Sequence, residues 1–308
     1  NDLAEEMARI IGYNKIPREE IRLPKYSLTQ EAKAEDKIKA FLVANGFYEI
    51  INNPFESDSG MKNAIKVDNP LDSNREYLRT DLKKSLIENL LYNERRQKDC
   101  IKLFEISDLY YSSNGIHKTK ALAVIASGRI GKNYRDYSKK ITNDYLYETL
   151  SKIFPKDLIN IENISREKLD TKLKSPIVYA EIKLDKIHQS LLSLDIEFNN
   201  PKSFIKYTPI SEYPSSSRDL SFSIKNYEKL KILEDTLLNY DHNLLKESYV
   251  FDYYKNDNAK EIKIGFRFIF QSYARTITDL DVDNVIDDII RLATGIETVS
   301  VPGLDNGN

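Results

Sequence analysis

Arg218-Asp219-Leu220-Ser221-Phe222-Ser223-Ile224 sets Leu220, Phe222 and Ile224 in strict alternation with Asp219, Ser221 and Ser223. A period of two is the mark of a strand with one buried face. Leu230, Leu233, Leu237 and Leu238 follow at helical spacing, and a second strand is expected over about Leu245 to Tyr254. Asn256-Asp257-Asn258 supplies turn chemistry, after which Ile262, Ile264, Phe266, Phe268 and Phe270 alternate in a third strand. Thr278 is placed to N-cap a helix carrying Val282, Val285, Ile286, Ile289 and Ala293, closed by Gly295, with a short strand at Thr298 to Val301. The order βαββαβ is that of a ferredoxin-like split unit.

Working back towards the N-terminus, Ser203 to Ser217 contains Pro209, Pro214 and a run of three serines, and reads as a linker or lead-in loop. Ahead of it, Leu3, Met7, Ile10 and Ile11 share one face of an opening helix that Gly12 ends, and Ile16-Pro17 imposes an extended exit. A helix is expected over Thr29 to Asn45 with Ile38, Phe41 and Leu42 inward and Gly46 as its stop. Phe47 to Asn53 reads as a strand. Arg79 to Arg96 reads as an amphipathic helix with Leu82, Leu86, Leu90 and Leu91 as its stripe. Ile101 to Tyr111 and Ala121 to Ser127 are strand-like. Strands mixed with helices predict an α+β protein with an antiparallel or mixed sheet.

Length and composition bound the function. The 308 residues suffice for two domains, and the net charge is −2. Charge is uneven: residues 61–140 carry 17 Lys and Arg against 10 Asp and Glu, whereas residues 205–308 carry 12 against 17. A single cysteine, Cys100, excludes an internal disulfide and points to a reducing, cytoplasmic setting. The longest apolar run, Ala121 to Ala126, is far short of a bilayer span, and no basic-then-apolar leader is present. The chain opens on Asn1 and turns helical almost at once, as expected of a piece of something longer.

Several chemistries find no footing. Three histidines, His117, His188 and His242, stand in unrelated contexts, and no Gly-x-Ser-x-Gly elbow is present. One Cys and no paired His exclude a zinc-ligand pattern. None of the ten glycines builds a phosphate-cradling loop.

Three groups of residues remain as candidates. Asp2, Glu5 and Glu6 share a helical face, which suits Mg²⁺ coordination and equally suits simple complementation of the helix dipole. Tyr213-Pro214-Ser215-Ser216-Ser217-Arg218 mixes a ring, hydroxyls and a cation, fit either to hold a base and a phosphate or to serve as a solvated linker. Lys83, Lys84, Arg95 and Arg96 form the basic side of a helix, fit for a partner or RNA face, although such a stripe is more often simply solvated. His117 and His188 read as surface residues.

Three blocks of sequence, in order, carry a family likeness. The segment from Asp2 to Pro17 resembles the closing helix of the small DNA-binding-like module in bacterial phenylalanyl-tRNA synthetase β subunits. Asn69-Pro70-Leu71, Leu78-Arg79-Thr80 and Leu103-Phe104-Glu105-Ile106 resemble that subunit's catalytic-like module. Pro214 with Arg218-Asp219-Leu220, and Phe270-Gln271 with Arg275-Thr276-Ile277-Thr278-Asp279, resemble its ferredoxin-fold anticodon-binding domain.

The resemblance implies the end of the small module at 1–20, a non-catalytic class II synthetase-like module of antiparallel or mixed sheet at 21–203, a linker at 204–217 and an anticodon-binding domain at 211–302. It implies an (αβ)₂ ligase that charges tRNA(Phe) with phenylalanine, ATP being bound by the α subunit and not by this chain. It implies Mg²⁺ shared with α through Asp2, Glu5 and Glu6, with a further Asp upstream, so that the site here is incomplete. Tyr213, Ser215, Ser216, Ser217, Arg218, Arg275 and Thr276 are the expected tRNA contacts. Between Tyr147 and Tyr179 the chain is shorter than the family pattern and lacks a His-Pro-Gly segment. The competing class is a non-enzymatic ferredoxin-like ligand-binding or regulatory module on an α+β scaffold, which would want a buried polar pocket. A single-chain organellar synthetase would need its own ATP motifs.

Overall fold

A computed structural model describes residues 2–17, 29–58, 60, 62–185, 207, 209–256, 258 and 261–303. His188 and most of residues 203–208 lie outside them. Helix α1, Asp2–Ile11, ends on Gly12 at φ 92°, a left-handed residue that only glycine adopts without strain. Its apolar residues Leu3, Met7, Ile10 and Ile11 are all exposed.

The first module is a five-stranded sheet between helices. Helix α2, Gln30–Ala44, starts where the Thr29 hydroxyl accepts from the Ala32 N–H at 3.2 Å. The sheet comprises β1 Tyr48–Glu49, β4 Cys100–Ser112, β5 Ile116–Gly128, β6 Ile161–Ile164 and β7 Ile177–Lys183, in the order β1-β4-β5-β7-β6. Only β1 and β4 run parallel. A two-stranded ribbon, β2 Phe55–Glu56 with β3 Tyr77–Leu78, lies outside it.

Alternation along β5 explains the unbroken apolar run at Ala121 to Ala126. Leu122, Val124 and Ala126 join α2 and α4, Asn143–Leu150, in one core. Ala121, Ala123 and Ile125 meet Leu82, the residue ahead of α3, and Leu86 and Leu90 within α3, Lys83–Glu94, in another. A strand covered on both faces has no polar side to show.

Two expectations change here. Of Phe47 to Asn53 only Tyr48 and Glu49 are in the strand. Ile50 still donates to the Phe104 carbonyl at 2.9 Å, but at Asn52 the Glu105 carboxylate replaces the backbone as acceptor, at 3.3 Å from the amide nitrogen and 2.7 Å from the side-chain nitrogen. Helix α3 starts at Lys83 and not at Arg79, because Arg79 donates its N–H to the Pro54 carbonyl and accepts from the Tyr110 N–H. The Asp81 carboxylate then accepts from the Lys83 N–H at 2.9 Å and opens the helix.

The second module has the expected βαββαβ order: β8 Ser216–Ile224, α5 Leu230–Leu238, β9 Leu245–Asn256, β10 Glu261–Phe270, α6 Asp279–Thr294 and β11 Val299–Ser300. Its strands lie antiparallel in the order β11-β8-β10-β9. Phe222, Ile224, Phe266, Phe268 and Phe270 meet Leu233 and Leu237 of α5 and Val285 and Ile289 of α6 in one buried core. Thr278 and Asp281 form a reciprocal capping box at the start of α6. Ser216 and Ser217, expected in a loop, are the first residues of β8 and pair with Phe270 and Ile269. At the far end, Gly295 caps α6 in right-handed geometry and the left-handed residue is Thr298, at φ 70°.

The sheet face opposite α5 and α6 is covered by the loop that follows β5. Tyr137, 8% exposed, sits with its ring centroid 5.2 Å from that of Phe251. The guanidinium of Arg129 lies 3.9 Å, and that of Arg267 5.1 Å, from the Tyr137 ring centroid. Lys132 Nζ bonds Glu247 at 2.7 Å beside them. Cation–π stacking with little solvent access fixes the ring. Burial pushes the neighbouring Tyr249 phenol up to about 12. Among the described residues no helix is long and apolar enough to cross a membrane.

Candidate nucleic-acid interface

The sequence-predicted contacts fall into two places. Arg218 is on the helix-facing side of β8, and its Nη2 donates to Asp279 at 2.8 Å on the first turn of α6. Its Nη1 donates to the Ser216 hydroxyl at 3.0 Å and to the Ser217 carbonyl at 3.2 Å. Arg275 makes a two-pronged pair with Asp281 at 2.7 and 2.8 Å, and Nη1 also reaches the Thr276 carbonyl at 3.3 Å. Hydrogen bonds from Arg275, then from Thr278, hold the Asp281 carboxyl well below the usual carboxylate range. Both arginines therefore meet at the start of α6, each already committed to a carboxylate. Asp219 pairs elsewhere, with Arg267 at 2.6 Å on the opposite sheet face.

Tyr213 and Ser215 lie apart from that helix end. The Ser211 hydroxyl donates to the Ser272 carbonyl at 2.6 Å, and Gln271 Nε2 donates to the Tyr213 carbonyl at 2.6 Å. These bonds pin the lead-in to β8 against the end of β10. Tyr213 and Ser215 then line a cavity of about 700 Å³ whose other wall is the turn after α3.

Residues 17–188 match the family described as phenylalanyl tRNA synthetase beta chain CLM domain, and residues 211–296 match the ferredoxin-fold anticodon binding domain. The chain belongs to the phenylalanyl-tRNA synthetase beta chain family.

Relatives named phenylalanine–tRNA ligase beta subunit include that of Clostridium acetobutylicum, 26% identical over 94% of this chain and 40% of the relative. That of Mycoplasma mycoides subsp. mycoides is 27% identical over 94% and 41%. The chloroplastic one of Pyropia yezoensis is 28% identical over 92% and 44%. The chain thus spans well under half the length of these synthetase β chains.

The magnesium expected in a synthetase β chain finds no site in these carboxylates alone. Glu5 and Glu6 lean on Arg9 at 3.4 and 3.1 Å, and among the described residues no three His, Cys, Asp or Glu are placed to hold a metal ion. Along this exposed helix the three carboxylates by themselves do not make the oxygen octahedron that Mg²⁺ demands, and the single Arg9 cation offsets one of the two charges that it touches.

Two features of this synthetase β chain leave no local signal in its sequence. One is the buried pair Arg79–Glu105, at 2.8 Å with side chains 3% and 2% exposed. Leu78-Arg79-Thr80 and Leu103-Phe104-Glu105-Ile106 both stood out in the sequence, but periodicity says nothing of pairs 26 residues apart. The other is Lys246, which joins Arg95, Arg96 and Lys98 around the 700 Å³ cavity. The sequence offers Arg95 and Arg96 as a partner or RNA face or, more simply, a solvated stripe, and no local pattern connects them to β9.

Proposed function

We propose that this chain is the part of a phenylalanine–tRNA ligase β subunit that braces the α subunit of an (αβ)₂ assembly and carries the domain that binds tRNA(Phe). The observation that carries this reading is the tandem of the two matched domains, joined on one chain in the order sheet module then anticodon-binding domain. ATP is assigned to the α subunit and Mg²⁺ to a site that Asp2, Glu5 and Glu6 would share with it, in a reducing, cytoplasmic setting.

The first module supports a bracing role. Around Arg79 its buried polar groups satisfy one another: Arg79 binds Glu105, the Ser107 hydroxyl and the Asp108 carbonyl. The cavity beside Arg79, about 290 Å³, is lined by Glu56 and Glu88 against Arg79 and Lys84, so it offers a triphosphate no net positive charge. Burial, then the neighbouring Asp81, push the Glu56 carboxyl above its ordinary value. A regulatory ligand-sensing module has no comparable support, since both matched families belong to tRNA charging.

Phenylalanine-dependent ATP–pyrophosphate exchange checks the division of labour. The chain alone is expected to give none, and addition of a cognate α subunit with the rest of the β chain is expected to restore it. Exchange by the chain alone would overturn the reading.

Within the proposed tRNA interface, Tyr213, Ser215, Ser216 and Ser217 are assigned to the RNA-facing edge. Arg218, Arg275 and Thr276 fix the loops that frame it. The Arg218–Asp279 pair has a partner carboxylate 88% exposed, so it is worth no more than about 1 kcal/mol. Arg218→Ala is accordingly expected to lower stability by at most about 1 kcal/mol in urea unfolding, with tRNA(Phe) affinity within about threefold of wild type. A loss of about 1–3 kcal/mol in binding at unchanged stability would instead place Arg218 on a phosphate.

A further inference from the structure

The cleft between the modules holds positive charge that no carboxylate among the described residues neutralises. It lies between the turn after α3 and the lead-in to β8, and Arg95, Arg96, Lys98 and Lys246 line it with one carboxylate, Glu212. Arg95 is spoken for by Asp170 at 2.9 Å. Arg96, Lys98 and Lys246 have no ion pair with a carboxylate among the described residues. The Arg96 guanidinium stacks 3.4 Å over the Tyr92 ring, and the Lys246 ammonium donates to the Gln271 side-chain oxygen.

Local structure holds these cations in place. Gln97 takes a left-handed φ of 60°, and the Gln97 and Lys98 N–H groups bond the Glu94 and Asn93 carbonyls, so the turn is closed on the helix end. The negative end of the α3 dipole, worth about half a charge, offsets only part of three full cations. Desolvation first, then repulsion from Lys98, push the Lys246 ammonium below the usual lysine range, so the group itself registers the excess. Seating an anion in the cleft offsets the repulsion among these cations.

The walls narrow the choice of anion. Tyr92 and Tyr213 are 54% and 36% exposed, and the Tyr92–Arg96 stack extends the flat surface. Ser211, Ser215 and Gln271 add neutral hydrogen-bonding groups. Unpaired cations alternating with exposed rings follow a strand of phosphates and bases better than a single compact anion. By contrast α6, with Asp279, Asp281, Asp283, Asp287 and Asp288, turns an acidic face to solvent.

We infer that this inter-module cleft binds the backbone of an RNA strand, with consecutive phosphodiesters on Arg96, Lys98 and Lys246 and an unpaired base against Tyr213. The inference rests on the proposed tRNA-binding role and locates it at the junction of the two modules, outside the acidic helix face.

The test is binding of a tRNA(Phe) transcript to the full chain over a salt series, comparing wild type with Lys98→Ala/Lys246→Ala and with the charge-keeping Lys98→Arg/Lys246→Arg. The alanine pair is expected to weaken binding roughly tenfold or more at low salt. Its plot of log affinity against log salt should be shallower by about 1–2, as for two lost phosphate contacts. The arginine pair should stay near wild type, and melting temperatures should not move, because both lysines are exposed. Equal affinity and slope for the alanine pair, with wild type binding tRNA, overturns the cleft assignment and leaves the tRNA-binding role standing. No binding by wild type overturns both. Displacement by AMP at equimolar concentration with no effect of tRNA would make the cleft a mononucleotide pocket and overturn the strand assignment.

Discussion

Arg79→Met is expected to lower the stability of the first module by about 3–5 kcal/mol, the cost of leaving one member of a buried ion pair without its partner. Arg79 Nη1 donates to Glu105 Oε1 at 2.8 Å, with both side chains almost fully removed from water. Glu105 also accepts from Asn52, whose side-chain oxygen in turn accepts from Asn89 of α3 at 2.6 Å. Among the described residues Glu105 has no second cation within ion-pair distance, so the loss exceeds that of one hydrogen bond. Urea unfolding followed by tyrosine emission, with 20 tyrosines and no tryptophan to dominate it, measures the change. Arg79→Met/Glu105→Leu is expected to recover part of the loss, since the stranded charge goes with it. Full recovery is not expected, because the Asn52 amide loses its acceptor. A single-variant cost under about 1 kcal/mol would show water reaching the pair. The network also ties Asn89 to the strand-side chain, so α3, and with it the Arg96–Lys98 turn, should loosen in the same variant.

What the chain's order of residues discloses, and what it does not, follows from how far apart interacting groups lie. The alternation from Leu220 to Ile224 and from Ile262 to Phe270 is a local pattern, and both strands form where it places them. The Thr278 cap works through a residue three positions on, and it too is present, with Asp281 as its partner. Gly12 and Gly46 end their helices at φ 92° and 80°, as their positions after apolar stripes imply.

Side-chain replacement of a ladder is not local. The strand at Phe47 stops early because a carboxylate more than 50 residues away captures Asn52. Arg79 looks like the start of a helix until Pro54 and Tyr110 claim its backbone. Arg218 could have paired with adjacent Asp219, but neighbours on a strand point to opposite faces, and the α6 carboxylates are on its side. The cation cleft is the extreme case, assembled from α3, the lead-in to β8 and β9, three segments with no shared period.

Gly128→Ala is expected to cost about 1–3 kcal/mol in backbone conformation and about 1–3 kcal/mol more in overlap. Gly128 ends β5 at φ 94°, and a Cβ there would lie 2.0 Å from the Asp99 carbonyl oxygen and 2.7 Å from its carbon. Both are backbone atoms, so no side chain can swing aside. The same carbonyl accepts the Arg129 N–H at 2.7 Å, and the Gly128 carbonyl accepts from Ile141 at 2.9 Å. Relief of the overlap therefore has to open the hairpin end or move Arg129. Arg129 Nε bonds Asp99 at 3.2 Å, Nη1 bonds the Tyr137 carbonyl at 2.5 Å, and its plane covers the Tyr137 ring. Moving it withdraws one of the two guanidiniums that hold Tyr137 against Phe251, and so frees the C-terminal sheet from the first module. Gly131→Ala is the matched control: its Cβ would meet only the Asp136 side chain, at 3.3 Å. Urea unfolding should rank Gly128→Ala several kcal/mol below Gly131→Ala, and amide exchange at Tyr249 to Phe251 should quicken in the first variant alone. Equal stability of the two would mean that the hairpin end relaxes without strain, and unchanged exchange in a destabilised Gly128→Ala would mean that Arg267 and Lys132 hold the two modules together without Arg129.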